Sequence, residues 1–276
     1  MATPATLDAP SILNALTIAR RYVINVGEVT HCNLTMVGCG GTGSFLALHL
    51  ARLAWHARET HRVEFDLVFV DPDVIEPKNI GRQNFVPAEI GKRKAEALAS
   101  RYSRAFGLSI RFHNEELTTN MVPNTGRRDG CLDLIVGCVD NTDARRDIHH
   151  VAADWRAIWW LDCGNHDDSG QVVLGNRADL KAPEISPLGF CVGLPLPSVI
   201  HPELVAKPKK RLGRRRTRAS CADDALAGIQ SLMVNQAVAG WAATYVYRLA
   251  VARDLDTSAT YFDLKAGSAR SEAITG

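Results

Sequence analysis

Several common features are missing from this chain, and each absence narrows what it can be. It has no uninterrupted apolar run of about 18 residues, so no membrane-spanning helix is expected. Its amino-terminal stretch has no basic segment leading into an apolar one, the pattern a secretory signal requires. We therefore expect a soluble chain of the cytoplasm. Seven cysteines occur (Cys32, Cys39, Cys131, Cys138, Cys163, Cys191 and Cys221), and none forms a C-x-x-C pair. That spacing argues against a disulfide framework and against a tetrathiolate zinc site. Thiols inside apolar runs act instead as small buried hydrophobes. Acidic residues are absent from Lys207 to Arg218, which holds eight basic ones; taking those from the net charge of +2 leaves −6 on the rest. The run has no interleaved aromatics, so base stacking on nucleic acid is not favoured. Contact with nucleic-acid phosphates, a solvated loop and a clamp on an acidic partner all remain open for it.

What is present reads as one α/β body. An apolar fraction of 46% with 22% charge is ordinary for a globular chain able to bury a core. After a helical or extended segment over 1–30, short apolar runs alternate with helical patterns from residue 31 onward. Strands are expected over Leu34–Val37, Phe65–Val70, Leu108–Phe112, Leu132–Gly137, Ala157–Leu161 and Gln171–Leu174. Helices are expected from Ser44 to about Trp55, from Lys92 to about Arg104 and from Thr142 to about Asp154. Such alternation implies βαβ units and a Rossmann-like, doubly wound, mainly parallel sheet with helices on both faces. Residues 176–220 are rich in proline and basic side chains and show no period, so they read as a long crossover loop. A helix over 226–253 follows it. Trp155, Trp159 and Trp160 read as core and interface aromatics, and His149-His150 as a solvated helix face. Cys163-Gly164-Asn165-His166 lacks the further ligands that a metal site needs.

Three motifs carry chemistry. Gly38-Cys39-Gly40-Gly41-Thr42-Gly43 joins a strand to a helix, where glycines let the backbone turn tightly beneath a ligand and the helix start presents N–H groups to phosphate. Gly38, Gly40, Gly41 and Gly43 are therefore candidate ligand-binding positions, although the turn alone does not separate NAD, FAD, ATP and S-adenosyl ligands. Asp71 ends the second strand, where a carboxylate can meet ribose hydroxyls. Asp73, Asn79, Arg82 and Gln83 follow, with Lys92 or Lys94 opening the next helix. Converging Arg and Lys suit a triphosphate and its pyrophosphate leaving group; the plainer alternative is a polar surface loop. In Val136-Gly137-Cys138-Val139-Asp140-Asn141, Asp140 lies just past a buried strand. There it can hold Mg²⁺ against phosphate oxygens, or Asp140 or Asn141 can simply cap the next helix.

The order G-x-G-G-x-G, D-x-D…N-x-x-R-Q, G-x-x-K and D-N-x-x-x-R resembles the E1-like activating enzymes of the ThiF/MoeB/HesA group, from about Leu34 to Leu174. The composition of the whole also resembles the ThiF-like proteins of plasmid-borne PRTRC gene clusters. The resemblance implies a protein that binds ATP and Mg²⁺ and adenylates the carboxyl-terminal glycine of a ubiquitin-like β-grasp partner, working as a homodimer. It would set Gly41 at the phosphate turn, Asp71 on the ribose, Asn79 and Arg82 on phosphates, Lys94 at the α-phosphate and Asp140 on the metal, with Asn141 beside it.

Departures from the family pattern are visible too. Its R-Y-x-R-Q segment survives only as Arg21-Tyr22-Val23-Ile24, leaving Arg20 or Arg21 to stand in for an arginine that reaches the partner subunit's nucleotide. The first carboxylate of D-C-x-D-N is Gly137, and the zinc-binding C-x-x-C pairs are absent, so no structural zinc is expected. Cys191 and Cys221 both lie where some relatives carry a thioester cysteine; Cys221, between the basic run and a helix, has the setting that favours a thiolate. Two rivals stand beside this reading. An NAD-dependent oxidoreductase would use the glycine turn and Asp71 but leave Arg82, Lys94 and Asp140 without a joint role. A non-catalytic nucleotide-binding scaffold would account for the missing arginine.

Overall fold

A computed structural model describes residues 20–123, 125, 128–155, 157–206 and 233–276. The basic run, Cys221 and the expected start of the last helix near residue 226 lie outside the described residues. The first strand, β1 (His31–Val37), is buried along nearly its whole length, with Cys32, Leu34 and Met36 on one face and Asn33, Thr35 and Val37 on the other, because an interior parallel strand is covered on both faces. It pairs in parallel with β2 (Glu64–Val70) on one side and β4 (Cys131–Gly137) on the other. Val37 lies opposite both Val70 and Gly137, so the three strands finish at one level. β3 (Arg111–His113) extends the sheet beyond β2, and β5 (Ile158–Asn165) beyond β4. The order β3-β2-β1-β4-β5 reverses direction at β1, and open α/β folds bind ligands at that switch point.

Helix α1 (Gly41–His61), α2 (Lys94–Phe106) and α5 (Val234–Tyr247) cover one face, burying Leu46, Leu50, Leu98, Val238 and Val246. α3 (Thr142–Asp154) and the single turn α4 (Pro197–Ile200) cover the other, over Val68, Ile135, Ile148, Trp160 and Leu196. The expected layers are therefore present. Among the described residues no helix is long and apolar enough to cross a membrane.

Three expectations shift. The strand placed at Leu108–Phe112 begins only at Arg111, because Gly107 closes α2 in a left-handed conformation and Leu108 donates back to the Ser103 carbonyl. The part of 176–220 that is described is not loop throughout: β7 (Glu184–Ile185) and β8 (Cys191–Gly193) form a small hairpin before α4. Cys191, Leu194 and Leu196 anchor it in the core as single apolar residues at irregular spacing, which no periodicity reveals. Finally, β6 (Ser169–Gly175) runs antiparallel to β5, and β9 (Thr257–Asp263) and β10 (Ser268–Ala273) continue the sheet antiparallel, giving eight strands among the described residues. β10 is polar and largely exposed; backbone pairing rather than an apolar pattern makes it a strand. Among the described residues the sheet thus ends in three-residue β3 on one side and in β10, with Arg270 and Glu272, on the other.

Two contacts fix the inner geometry. A Cβ on Gly38, which has φ +92°, would stand 2.5 Å from the Cys138 carbonyl oxygen, and one on Gly43 would stand 1.9 Å from the Gly38 carbonyl oxygen. The turn can nest against β4, and α1 against the turn, only without side chains there. Across the sheet, the buried Arg145 of α3 donates from Nε to Oδ1 of fully buried Asp162 on β5 at 3.1 Å. Burial pushes the Asp162 carboxyl up, and the Arg145 charge and hydrogen bond oppose that rise.

Gly43→Ala should destabilise the chain by about 3 kcal/mol, whereas Gly240→Ala, whose Cβ meets nothing within 4 Å, should stabilise it by up to about 1 kcal/mol. Urea unfolding of both variants checks the pair of opposite signs. Arg145→Met leaves Asp162 buried without its cation and should cost about 3–5 kcal/mol at pH 7. The folded carboxyl then rises further above its unfolded value. Its favourable contribution is complete only below that unfolded value and is lost as pH rises through the folded one, so the deficit against wild type should widen from pH 4.5 to pH 7. A constant deficit across that range in denaturant titrations would contradict the pairing.

Candidate functional site

The level ends of β1, β2 and β4 open into a cavity of about 350 Å³. Gly38, Gly40 and Gly41 form one wall, and the first turn of α1 directs its unpaired N–H groups there. Gly43 faces Gly38 instead and does not line the cavity. The glycine turn is held by Asp71: its Oδ2 accepts from the Cys39 N–H at 2.6 Å and its Oδ1 from the Asp73 N–H at 2.8 Å. Burial raises the Asp71 carboxyl, while those two N–H groups and Lys94 pull it back. The residue expected on a ribose thus also locks the turn beneath it.

Lys94 opens α2 inside the same cavity, its side chain buried and its Nζ 2.7 Å from Oδ2 of the exposed Asp73. Exposed Arg82 and half-buried Gln83 complete that side. The Gln83 Oε1 is buried with no hydrogen-bond partner among the described residues. Asn79 departs from expectation. Its Oδ1 accepts from the Glu76 N–H at 2.8 Å within a short 3₁₀ turn, so its amide oxygen is spent on the loop, and the residue does not line the cavity. Across the opening, the two readings of Asp140-Asn141 separate by residue. Asn141 caps α3, accepting from the Ala144 N–H at 2.8 Å. That leaves the exposed Asp140 carboxylate on the cavity wall, with Glu115 and Asp147 nearby. Among the described residues no three His, Cys, Asp or Glu side chains converge tightly enough to hold a metal by themselves.

Other residues enter that sequence reasoning missed. Thr42, Asn165 and Asn235 line the cavity and bond to one another, tying the start of α1, the end of β5 and the start of α5 together. The available signal was a polar residue on the otherwise apolar face of the last helix. Gly137 finds its explanation as well. A Cβ there would stand 3.0 Å from Ile148 and 3.1 Å from the Trp160 indole nitrogen, with Asp162 Oδ1 at 3.5 Å. The neighbouring strand fills the space and brings a carboxylate to it.

The remaining candidates lie elsewhere. Arg21 pairs with Asp256 at 3.4 Å and Arg20 sits over the Tyr22 ring. Cys191 is wholly buried, and burial pushes its thiol up to about 11, a poor setting for a thiolate. His149 is not simply solvated: its Nδ1 is 2.8 Å from the Ser198 Oγ, while His150 is exposed. Trp159 and Trp160 are core residues, as expected.

The chain is 26% identical over 163 residues to ubiquitin-like modifier-activating enzyme 5 of Caenorhabditis elegans, covering 55% of this chain and 37% of that one. It is 27% identical over 202 residues to the Xenopus laevis protein of the same name, covering 69% and 46%. It therefore spans less than half the length of these relatives. Among solved structures, PaaA superposes with a TM-score of 0.57 at 18% identity, covering 90% of this chain and 65% of that one. Escherichia coli MccB crystallised with ATP superposes with a TM-score of 0.54 at 14% identity, covering 88% and 64%. At those identities the two structures speak for the fold alone. The model of the ThiF family matches residues 26–274, nearly the whole described body including the glycine turn, Lys94, Asp140 and the last strands, and the chain belongs to that family.

Proposed function

We propose that this chain is an adenylyltransferase that activates the carboxyl-terminal glycine of a ubiquitin-like β-grasp protein with ATP, releasing pyrophosphate. The observation that carries the reading is the meeting of a helix start, Lys94 and Arg82 with the Asp140 carboxylate across one cavity. A dinucleotide oxidoreductase has use for the first of these and none for the opposed charges. The names of the relatives support it.

In this reading the acyl carboxylate oxygen attacks the α-phosphorus, a P–O bond forms, and the bond to the β-phosphate oxygen breaks with its electron pair leaving on pyrophosphate. No protein nucleophile is needed. The chain supplies orientation and charge: the α1 start and Arg82 hold phosphate oxygens, and Lys94 meets charge growing at the α-phosphate once it exchanges Asp73 for the ligand. Asp71 and Asp73 face the ribose. Mg²⁺ fits Asp140, because that ion takes one or two carboxylates and completes its shell with phosphate oxygens and water; when bound it would neutralise phosphate charge. A homodimer and a cytoplasmic location accompany the proposal by family analogy, and a thioester on Cys221 stays within it as a later step.

Mg·ATP should raise the melting temperature of the wild-type protein and NAD⁺ or NADP⁺ should not, since a ligand of the native state at 100 times its Kd stabilises by about 2.7 kcal/mol. Asp140→Ala should keep the melting temperature without ligand and lose most of the Mg·ATP shift. Stabilisation by a dinucleotide alone would overturn the proposal. Lys94→Ala should lower pyrophosphate exchange with the cognate β-grasp protein by about 10²–10³-fold, and full exchange in that variant would remove Lys94 from the mechanism.

A further inference from the structure

The side chain of Asn235 is nine-tenths buried or more at the start of α5, yet it lines the cavity. Its Oδ1 accepts twice, from the Thr42 hydroxyl at 3.2 Å and from the Asn165 amide. With its oxygen accepting both bonds, the amide leaves its Nδ2 as the end available to a ligand. No described residue accepts a hydrogen bond from the Nδ2, which lies over Gly41: a Cβ at that glycine would stand 3.0 Å from it and 2.7 Å from Oδ1. The absence of a side chain at position 41 therefore serves this amide as well as the turn. The start of α1 and the Asn235 amide line the same cavity, from helices far apart in sequence.

We infer that Asn235 is a ligand-binding residue whose Nδ2 donates to a phosphate oxygen of the nucleotide seated over Gly40 and Gly41. The inference rests on the nucleotide reading above and adds a contact from outside the four motifs. Its chemistry is specific. A buried amide with its acceptor satisfied and its donor free selects an anionic or carbonyl oxygen, not another donor. Thr42 and Asn165 act as positioning residues, holding that amide in one orientation.

Asn235→Asp tests this with little change of shape. The remaining oxygen still accepts from Thr42 and Asn165, while the Nδ2 position changes from a donor to an anionic acceptor. The full-length variant should melt somewhat lower without ligand, because its buried carboxylate has no cation beside it. Where it is folded it should bind Mg·ATP at least about 10-fold more weakly by calorimetry and bind adenosine, which has no phosphate, as the wild type does. Asn235→Ser, which withdraws the donor without adding charge, carries the same test if the aspartate variant is unstable; it too should weaken Mg·ATP more than adenosine. Equal loss of both ligands, or Mg·ATP affinity within about twofold of wild type in a folded variant, overturns the inference. Wild-type protein that fails to bind Mg·ATP at all overturns the nucleotide reading beneath it, so the two failures are told apart by the wild-type measurement.

Discussion

The architecture turns on a close approach between backbones. β1, β2 and β4 end at one level, and the chain leaving β1 must turn back at once while its carbonyls and those leaving β4 occupy neighbouring space. Gly38 and Gly43 make that possible, because any side chain at either would overlap a main-chain oxygen. Asp71 from β2 then closes the arrangement by accepting from the turn. Three strands and a helix therefore meet in a knot of main-chain atoms, and the cavity is the space left above it. The residues that line it are placed by the ends of rigid elements, which hold side chains more firmly than free loops do.

Charge is divided within that cavity. Lys94 and Arg82 stand near the β2 side, where Asp73 pairs with Lys94, and Asp140 and Asp147 stand where β4 gives way to α3. A neutral ligand would have little use for such separation, whereas a polyphosphate carrying a divalent cation presents both signs. Lys94 is held by Asp73 in the meantime. That ion pair keeps a buried ammonium paired, and a buried charge left alone is costly.

Much of this was legible in the sequence, and the rest was not for definable reasons. Period and composition located the parallel strands and their helices because interior strands and amphipathic helices leave strong patterns. β9 and β10 left none: β10 reads Ser-Ala-Arg-Ser-Glu-Ala, and only its partner strand makes it regular. The motif spacing brought Gly40, Asp71, Arg82, Lys94 and Asp140 to one cavity, but it could not say that Asn79 turns away to hold its own loop or that Asn141 and not Asp140 caps α3. The roles of Asn235 and Asp162 were not legible for a further reason. Each acquires its meaning from residues distant in sequence (Thr42 and Gly41 for one, Arg145 and Gly137 for the other), and no local pattern records such a meeting.

The two margins of the sheet have a consequence for how the protein keeps to itself. An exposed strand edge invites pairing with any extended chain nearby, and proteins discourage this with very short edges or with charges upon them. β3 offers only three residues, and β10 carries Arg270 and Glu272 on a strand that is largely polar. Both ends of an eight-stranded sheet are thereby made poor templates. The described edges of the sheet therefore offer little for another chain to extend by strand addition.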